Sequence, residues 1–261
     1  GMHAFTKLGA QLLIDASIGT DPLATPSVID LSSLNGQNGF RLDGATSFDR
    51  LGKSVSDAGD VNGDGFDDVI IGDYEAASNE FLSGSSFVVF GKATGFDARM
   101  SLSSLDGSNG FRLDGDHEFD KSGYAVSGAG DVNGDGFEDM LVGAPGPFTN
   151  DDTFGSSYVV FGKATGFDAH VDLSSLDGSN GFRLIGESYD QAGKSVSSAG
   201  DVNGDGFGDL MMSGYMGTKV VFGQTSGFSA EFDTATLDGS NGFRLKNIDP
   251  VHSISMAGDM N

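Results

Sequence analysis

Three identical acidic hexapeptides supply the residue types and the spacing that metal binding requires. Asp-Val-Asn-Gly-Asp-Gly begins at Asp60, Asp131 and Asp201, and each copy is followed by Phe and, two residues later, by another Asp. Calcium takes about six to eight oxygen ligands, which carboxylates, side-chain amides and backbone carbonyls provide. We therefore predict about three bound Ca²⁺ ions per chain, one in each loop. The predicted ligands occupy loop positions 1, 3, 5, 7 and 9, with the backbone carbonyl used at position 7: Asp60, Asn62, Asp64, Phe66 and Asp68; Asp131, Asn133, Asp135, Phe137 and Asp139; Asp201, Asn203, Asp205, Phe207 and Asp209.

Three alternative structures share part of this loop sequence. An EF-hand needs a Glu at position 12 on an exiting helix. Position 12 here is Ile71, Val142 or Met212, each inside a short apolar run that is typical of a buried strand. The nonapeptide loops of parallel β-helices need a much shorter repeat. A metal-free hairpin turn would explain Asn-Gly and Asp-Gly, but it would not explain the close like charges at positions 1, 5 and 9.

A long internal repeat indicates which elements hold the loops. The tripeptide Phe-Arg-Leu begins at Phe40, Phe111, Phe182 and Phe243, with spacings of 71, 71 and 61 residues, and the acidic loops follow in step. A period of this length with several strand signals per unit favours a propeller blade over a helical solenoid. Turn-forming Gly, Asn, Asp and Ser separate the apolar runs, so we predict that helix is nearly absent.

Each repeat offers four strands, which we label A to D. In the second unit, strand A is predicted at 124–128, strand B at 140–142 and strand C at 158–161. Two apolar segments, 171–173 and 111–113, compete for strand D of that unit, and the choice between them stays open. The predicted calcium loop joins strands A and B, whereas loops of variable length join strands B and C.

The repeat resembles the FG-GAP family, whose members include the blades of integrin alpha-subunit heads and many bacterial surface proteins. The matching segments are 119–126, 129–136, Asp139 and 143–145, and the resemblance extends over about residues 27–261. It implies an all-β fold, namely a β-propeller of four-stranded antiparallel blades, with calcium in the A–B turn and a role in adhesion or recognition. The chain would supply about three and a half blades.

The predicted organisation is an N-terminal irregular segment at 1–26 followed by repeats at 27–261. The units lie near 40–110, 111–181 and 182–242, with a partial unit at 243–261. The outer strand at Phe40 is expected to lack the A, B and C strands of its blade. Because propellers close with about four to eight blades, we expect either a fragment of a longer array or a homodimer that completes one ring.

The charge, the absence of cysteine and the expected calcium affinity restrict the kinds of binding partner and the cellular location. The 38 acidic and 14 basic residues give a net charge of −24, which repels nucleic-acid phosphates and anionic lipid headgroups. We therefore predict no nucleic-acid partner and no membrane insertion. The chain has no cysteine, so calcium would take the place of disulfides. Millimolar extracellular calcium fills weak sites that cytosolic calcium leaves empty, which predicts an extracellular or cell-surface location, although no signal peptide is visible.

No enzyme is predicted, and no catalytic residue or organic cofactor is assigned. Gly52-Lys53-Ser54 lacks the earlier Gly and the strand–loop–helix context of a phosphate loop. The four histidines fall at different phases of the repeat, and no Gly-x-Ser-x-Gly elbow is present. The alternatives to a recognition module are a passive structural repeat of a long surface protein and a non-catalytic domain of a larger secreted enzyme.

The B–C loops at 73–86, 144–157 and 214–218 carry an aromatic-rich set suited to binding a protein or glycan partner. The alternative is that these side chains pack on neighbouring blades. The arginine of each Phe-Arg-Leu is predicted to pair with a neighbouring acid rather than to form a ligand-binding ring. The loop set is Tyr74, Phe81, Leu82, Phe148, Phe154, Tyr215 and Met216, and the arginines are Arg41, Arg112, Arg183 and Arg244.

Overall fold

In the part of the chain that the structure describes, short strands joined by tight turns form four hydrogen-bonded sheets. The computed structural model describes residues 2–7, 10–15, 30–44, 50–77, 80–146, 154–225, 227–246 and 253–256, the first two ranges as backbone only. Within these residues there is no α-helix, and the only helical elements are single 3-10 turns. The fold is therefore all-β, as the turn-rich sequence predicts. The 3-10 turns are Leu31–Ser33, Leu102–Ser104, Leu173–Ser175 and Thr234–Thr236.

Three of the sheets are blades in which four antiparallel strands follow the chain order A, B, C and D. Sheets of this order, repeated along the chain, are the blades of a β-propeller. The strands of blade one are β4 (Val55–Gly59), β5 (Asp68–Asp73), β6 (Ser85–Val89) and β8 (Gly110–Asp114); those of blade two are β9 (Ala125–Gly130), β10 (Asp139–Ala144), β11 (Ser156–Val160) and β13 (Gly181–Ile185); those of blade three are β14 (Ser195–Gly200), β15 (Asp209–Gly214), β16 (Gly217–Val221) and β18 (Gly242–Leu245).

An incomplete sheet precedes blade one. β1 (Met2–Lys7) and β2 (Ala10–Asp15) pair antiparallel with each other, and β2 also pairs antiparallel with β3 (Phe40–Asp43). β1 and β2 lie in the segment 1–26, which the sequence predicted to be irregular. The sequence also showed no sign that a strand from this segment would pair with the strand at Phe40. The backbone of β3 needs a neighbour to satisfy its hydrogen-bonding groups, and β2 provides it from Ala10 to Leu13.

Strand D of blade two is β13, which contains the third Phe-Arg-Leu copy. Both segments named from the sequence as candidates for this strand are wrong. The segment 111–113 lies in β8 of blade one. The segment 171–173 lies mostly in β12 (His170–Asp172), which pairs parallel with β8. The sequence shows both apolar segments but not the backbone that each one pairs with.

A short parallel strand therefore links each blade to the next. After strand C the chain crosses to the outer edge of the preceding blade, adds three residues there, and returns as strand D of its own blade. β12 makes this link at the edge of blade one, and β17 (Glu231–Asp233) makes it at the edge of blade two. β7 (Arg99–Ser101) does the same beside β3.

The hydrophobic core lies between blades. The B strands β5 and β10 are buried along their whole length, because successive side chains point to opposite faces and both faces are covered. Met140 and Val142 pack with residues of blade one, whereas Leu141 packs with residues of blade three. This burial on both sides explains the continuous apolar runs after the acidic loops.

Neighbouring A strands lie side by side where the blades meet. Ser54 Oγ accepts a hydrogen bond from the Val126 N–H at 2.9 Å, and Ser195 Oγ accepts one from the Ile254 N–H at 3.1 Å. The segment 253–256 thus contacts β14 in the way that β9 contacts β4. This placement agrees with the sequence similarity between that segment and the start of β14.

Candidate calcium loops and the opposite loop face

Each predicted calcium loop is the turn between strands A and B of one blade. The loops join β4 to β5, β9 to β10 and β14 to β15, and loop position 9 is the first residue of strand B. The pairing register shifts at the loop end of each A–B pair. The three ligand sets predicted from the sequence therefore occupy equivalent places at the same end of three blades.

The carboxylate at position 1 holds the turn of each loop. Asp60 Oδ1 accepts hydrogen bonds from the N–H groups of Gly63 at 2.7 Å and Asp64 at 3.0 Å, and Oδ2 accepts one from Gly65 at 2.8 Å. The turn needs a φ of 74° at Gly63 and 89° at Gly65, which glycine adopts at no steric cost. Asp131 and Asp201 make the same three bonds at 2.7 to 3.1 Å.

Positions 3 and 5 bring two further oxygen-bearing side chains together. Asn62 Oδ1 accepts the Asp64 N–H at 2.9 Å, and Asn62 Nδ2 donates to Asp64 Oδ2 at 3.1 Å. Asp64 Oδ1 accepts the Phe66 N–H at 2.9 Å. The backbone of the loop thus fixes both side chains next to each other, and the other two loops repeat the amide–carboxylate contact.

The carboxylate at position 9 is buried in every loop: Asp68, Asp139 and Asp209 are all 0% exposed. Asp68 Oδ2 accepts the Val61 N–H at 3.0 Å, and Oδ1 accepts the Gly91 N–H at 2.8 Å. Burial raises the pKa of Asp68 to about 7 and the pKa of Asp139 to about 8, and the acids at positions 5 and 1 add to the rise. Burial also raises the pKa of Asp209. A cation close to these groups would favour their charged forms.

The donor set of each loop fits Ca²⁺ in its chemistry, because it consists of hard oxygen atoms only. Carboxylates stand at positions 1, 5 and 9, an amide at position 3 and a backbone carbonyl at position 7. Within the described residues, no three His, Cys, Asp or Glu side chains are grouped closely enough to hold a metal ion. The side chains at positions 1, 3 and 5 are instead engaged by N–H and amide groups of the loop. Calcium binding therefore stays a prediction.

The opposite ends of the blades carry the B–C loops and the D–A connections, where aromatic side chains are exposed. Phe81 is 59% exposed and Tyr215 is 46% exposed. The ring of Phe81 makes an edge contact with Phe119, and the ring centroids are 5.5 Å apart. Of the other predicted members, Phe154 and Met216 are exposed, whereas Phe148 lies outside the described residues.

Two aromatic residues of this face were not predicted from the sequence. Phe119 and Tyr189 lie in the D–A connections, are 37% and 57% exposed, and have φ values of 64° and 63°. Positive φ is uncommon for a bulky side chain and marks a constrained backbone. Each residue directly precedes an Asp, Asp120 or Asp190, at the same phase of successive repeats. That repeated aromatic-Asp pair is the signal that could have found them.

The Asp of this pair ties the D–A connection to the B–C loop of the same blade. The Asp120 carbonyl accepts the Gly146 N–H at 3.0 Å, and the Asp190 carbonyl accepts the Tyr215 N–H at 2.7 Å. The Tyr158 hydroxyl donates to Asp120 Oδ2 at 3.3 Å. The exposed aromatic residues of blades two and three therefore stand on loops that are bound to each other.

Tyr74 packs on a neighbouring blade, which was the alternative predicted for the aromatic residues of the B–C loops. Its ring lies 5.2 Å from the ring of Tyr124, which precedes β9 of blade two. The Lys53 Nζ lies 3.2 Å from the centroid of Tyr124. Among the described members of the predicted set, Tyr74 packs between blades, Leu82 is partly buried, and Phe81, Phe154, Tyr215 and Met216 are exposed to solvent.

The arginines of the four Phe-Arg-Leu copies pair with acids, which confirms that prediction. Arg41 and Arg112 each donate from Nη2 to the Asp two residues later, at 2.9 Å. Arg244 Nη1 lies 2.8 Å from Glu187, and Arg183 Nη1 lies 3.9 Å from Glu231. The acids of the first two pairs are Asp43 and Asp114.

Comparisons with known proteins identify relatives of the repeat. Residues 122–160 match the family described as FG-GAP repeat. The chain is 30% identical over 208 residues to integrin alpha-V of Gallus gallus, which covers 77% of this chain and 19% of that protein. It is 29% identical over 178 residues to integrin alpha pat-2 of Caenorhabditis elegans, covering 63% and 13%, and 26% identical over 171 residues to integrin alpha-4 of Xenopus laevis, covering 64% and 15%. The chain thus spans less than a fifth of the length of these relatives.

The four-stranded blades and the FG-GAP match together define a β-propeller repeat protein. The chain belongs to the FG-GAP and integrin alpha-like family, as the resemblance of its repeats predicted. No helix in the described part of the chain is long and apolar enough to cross a membrane.

Proposed function

We propose that the chain is a calcium-binding β-propeller module for cell adhesion or for recognition of a protein or glycan, with calcium in a structural role. The integrin alpha similarities support an adhesion or recognition role. We also propose an extracellular or cell-surface location, because calcium there reaches the concentration that loops of weak affinity need. No catalytic step is part of this proposal.

The proposal that the loops bind calcium rests on the buried carboxylate at loop position 9. Burying a carboxylate beside other acids disfavours its charged form unless a cation lies close to it. Asp68, Asp139 and Asp209 are nevertheless all fully buried at the same loop position. The side chains at positions 1, 3, 5 and 9 and the carbonyl at position 7 would hold Ca²⁺, which would supply the missing positive charge.

A structural role follows from where the loops lie. Position 1 stands just after strand A and position 9 opens strand B, so an ion held by both would fix the angle between these strands. The loops are far from the aromatic face in the topology, because A–B turns and B–C loops lie at opposite ends of antiparallel strands. Calcium would therefore stabilise the blades rather than contact the partner.

The aromatic face is the surface that we propose for partner binding. Phe81 and Phe119 form an exposed pair, and the exposed Phe119 and Tyr189 both stand on constrained backbone. Exposed aromatic side chains on fixed loops are suited to interface hot spots. The strongly acidic charge of the chain argues against nucleic acid as the partner.

A passive structural repeat is the second candidate function, and the packing of Tyr74 on Tyr124 favours it. If most aromatic residues of the loops served blade packing in this way, no partner would be needed. A non-catalytic domain of a larger secreted enzyme is a third assignment that the same fold would suit. We also propose that two copies of the chain could complete one ring, which the mass in solution tests.

The proposed function is tested by calcium binding first and by partner binding second. Calorimetry of the EDTA-treated chain should show about three Ca²⁺ ions bound, with weaker binding of Mg²⁺, which prefers octahedral geometry and retains its waters. A glycan array and a panel of matrix proteins then test recognition, with Phe81→Ala/Phe119→Ala as the matched loss-of-binding variant. Absence of any binder in both screens would favour the passive repeat.

A further inference from the structure

Phe137 contacts two candidate calcium loops. Its backbone carbonyl is the position-7 ligand predicted for the second loop. Its ring lies against Gly63 of the first loop, so that a Cβ placed on Gly63 would be 2.4 Å from the ring. Gly63 donates its N–H to Asp60 Oδ1 at 2.7 Å, and Asp60 is the position-1 ligand predicted for the first loop. One residue therefore connects the ligands of both loops.

Phe207 repeats this arrangement between the second and third loops. A Cβ placed on Gly134 would be 2.4 Å from the ring of Phe207, and Gly134 donates to Asp131 Oδ1 at 2.7 Å. In the third loop, a Cβ on Gly204 would meet no described atom within 4 Å. The contact between Phe and Gly is thus seen only where the loop of a following blade lies beside the glycine, among the described residues.

Backbone hydrogen bonds join the same loops to the following blade. The Lys163 N–H donates to the Val61 carbonyl, and the Gln224 N–H donates to the Val132 carbonyl, both at 2.9 Å. Both acceptors stand at loop position 2. The Gly208 N–H also donates to the Asp131 carbonyl at 2.8 Å. The start of each of these two loops is therefore held by the blade that carries the next loop.

We propose that Phe137 and Phe207 couple neighbouring calcium loops, so that the three loops fill cooperatively rather than as independent sites. This inference rests on the calcium binding proposed above. When the second loop is ordered through the Phe137 carbonyl, the Phe137 ring is ordered against Gly63, and Asp60 is already oriented for the first loop. The second loop therefore meets the cost of ordering the Phe137 ring when it binds calcium, and the first loop does not meet that cost again. Calcium binding to one loop thus raises the affinity of its neighbour, which is positive coupling.

The first test is a calcium titration of the EDTA-treated 261-residue chain, followed at the amide NMR signals of Gly63, Gly134 and Gly204. The unaltered chain should titrate with a Hill coefficient above one. Phe137→Ala/Phe207→Ala should reduce it to about one and raise the midpoints by about fivefold or more, the lower range of typical coupling. Phe243→Ala is the control: Phe243 lies on β18 outside the three loops, it is 37% exposed, and its loss should leave the Hill coefficient and the three midpoints unchanged.

A double-mutant cycle isolates the coupling from other effects of the substitutions. Asp205→Ala weakens the third loop, and the midpoint of the Gly134 signal should then rise about fivefold in the otherwise unaltered chain but not in Phe207→Ala. Phe207→Leu, checked by circular dichroism, replaces Phe207→Ala if the latter does not fold. Three ions bound at midpoints that none of these changes moves would overturn the coupling alone. No calcium response in any loop would overturn the proposed calcium binding and the coupling with it.

Discussion

Lys219 donates a hydrogen bond from Nζ to Asp190 Oδ2, and the two side chains are only 1% and 0% exposed. Asp190 Oδ1 also accepts the Met216 N–H at 2.6 Å, so this buried pair anchors the short B–C turn of blade three. In blade two the equivalent positions hold Tyr158 and Asp120, which are 3.3 Å apart. The same contact is thus built once from an ion pair and once from a hydroxyl group.

Removing the cation of this pair should destabilise the fold strongly. Lys219→Met leaves the Asp190 carboxylate buried without its partner, and we expect the free energy of unfolding to fall by about 3–5 kcal/mol. Lys219→Tyr is the control, because it reproduces the arrangement of blade two and should cost less. Urea denaturation measures both. Equal losses for the two variants would contradict the account of this contact.

The metal-free protein should lose stability as the pH rises. The folded pKa values of Asp68 and Asp139, about 7 and about 8, lie above the value of about 3.9 expected in the unfolded chain. Between these values the folded state binds more protons than the unfolded state, so the stability from these groups is complete below about pH 4 and is lost as the pH rises through about 7 to 8.

Urea denaturation in EDTA at about pH 5 and about pH 8 measures this loss. Saturating Ca²⁺ should abolish it, because the ion favours the charged carboxylates. Asp139→Asn should reduce the difference between the two pH values in EDTA, since the amide does not titrate. Stability in EDTA that does not change between these pH values would be inconsistent with the buried acids.

The contact between Phe137 and Gly63 should make one loop glycine less replaceable than another. Gly63 and Gly204 have nearly the same φ, 74° and 77°, at the same loop position. Alanine at either site bears left-handed strain of about 1–2 kcal/mol, but only at Gly63 must an aromatic ring also move. Thermal melting in calcium should therefore show a larger loss for Gly63→Ala than for Gly204→Ala; the reverse order would argue against the contact.

The seam between blades one and two should depend on the hydroxyl group of Ser54. Ser54→Ala leaves the Val126 N–H without its acceptor, and we expect a loss of about 1 kcal/mol in unfolding free energy. Ser56 accepts the Gly128 N–H at the longer distance of 3.4 Å, so Ser56→Ala should cost less. Chemical denaturation of both variants tests the order.

Local signals in the sequence predicted the blades well. The B strand at 140–142 and the C strand at 158–161 lie within or at the ends of β10 and β11, because continuous apolar runs bounded by Gly and Asp reflect burial on both faces. The pairing of Arg41 and Arg112 with an acid followed from closeness in the chain, whereas the acids that pair with Arg183 and Arg244 come from distant segments. The positions of the acidic loops between strands A and B followed from the same local pattern.

Long-range pairing was not predictable in this way. The sequence left the segments 171–173 and 111–113 in competition for one strand, and only the folded chain shows that both lie at the outer edge of blade one, paired with each other. Phe119 and Tyr189 were missed because their exposure depends on a left-handed backbone that propensity does not report. The contact of Phe137 with Gly63 joins residues of two repeats, so no single repeat contains its signal.

Calorimetric titration of the EDTA-treated chain with Ca²⁺, combined with melting curves of the same samples, shows whether the three acidic loops bind calcium and whether the ion stabilises the blades. We expect about three ions per chain and a melting temperature that rises with calcium concentration, as mass action requires for a ligand of the folded state. A titration without binding heat, together with equal melting temperatures in EDTA and in millimolar Ca²⁺, would contradict this expectation.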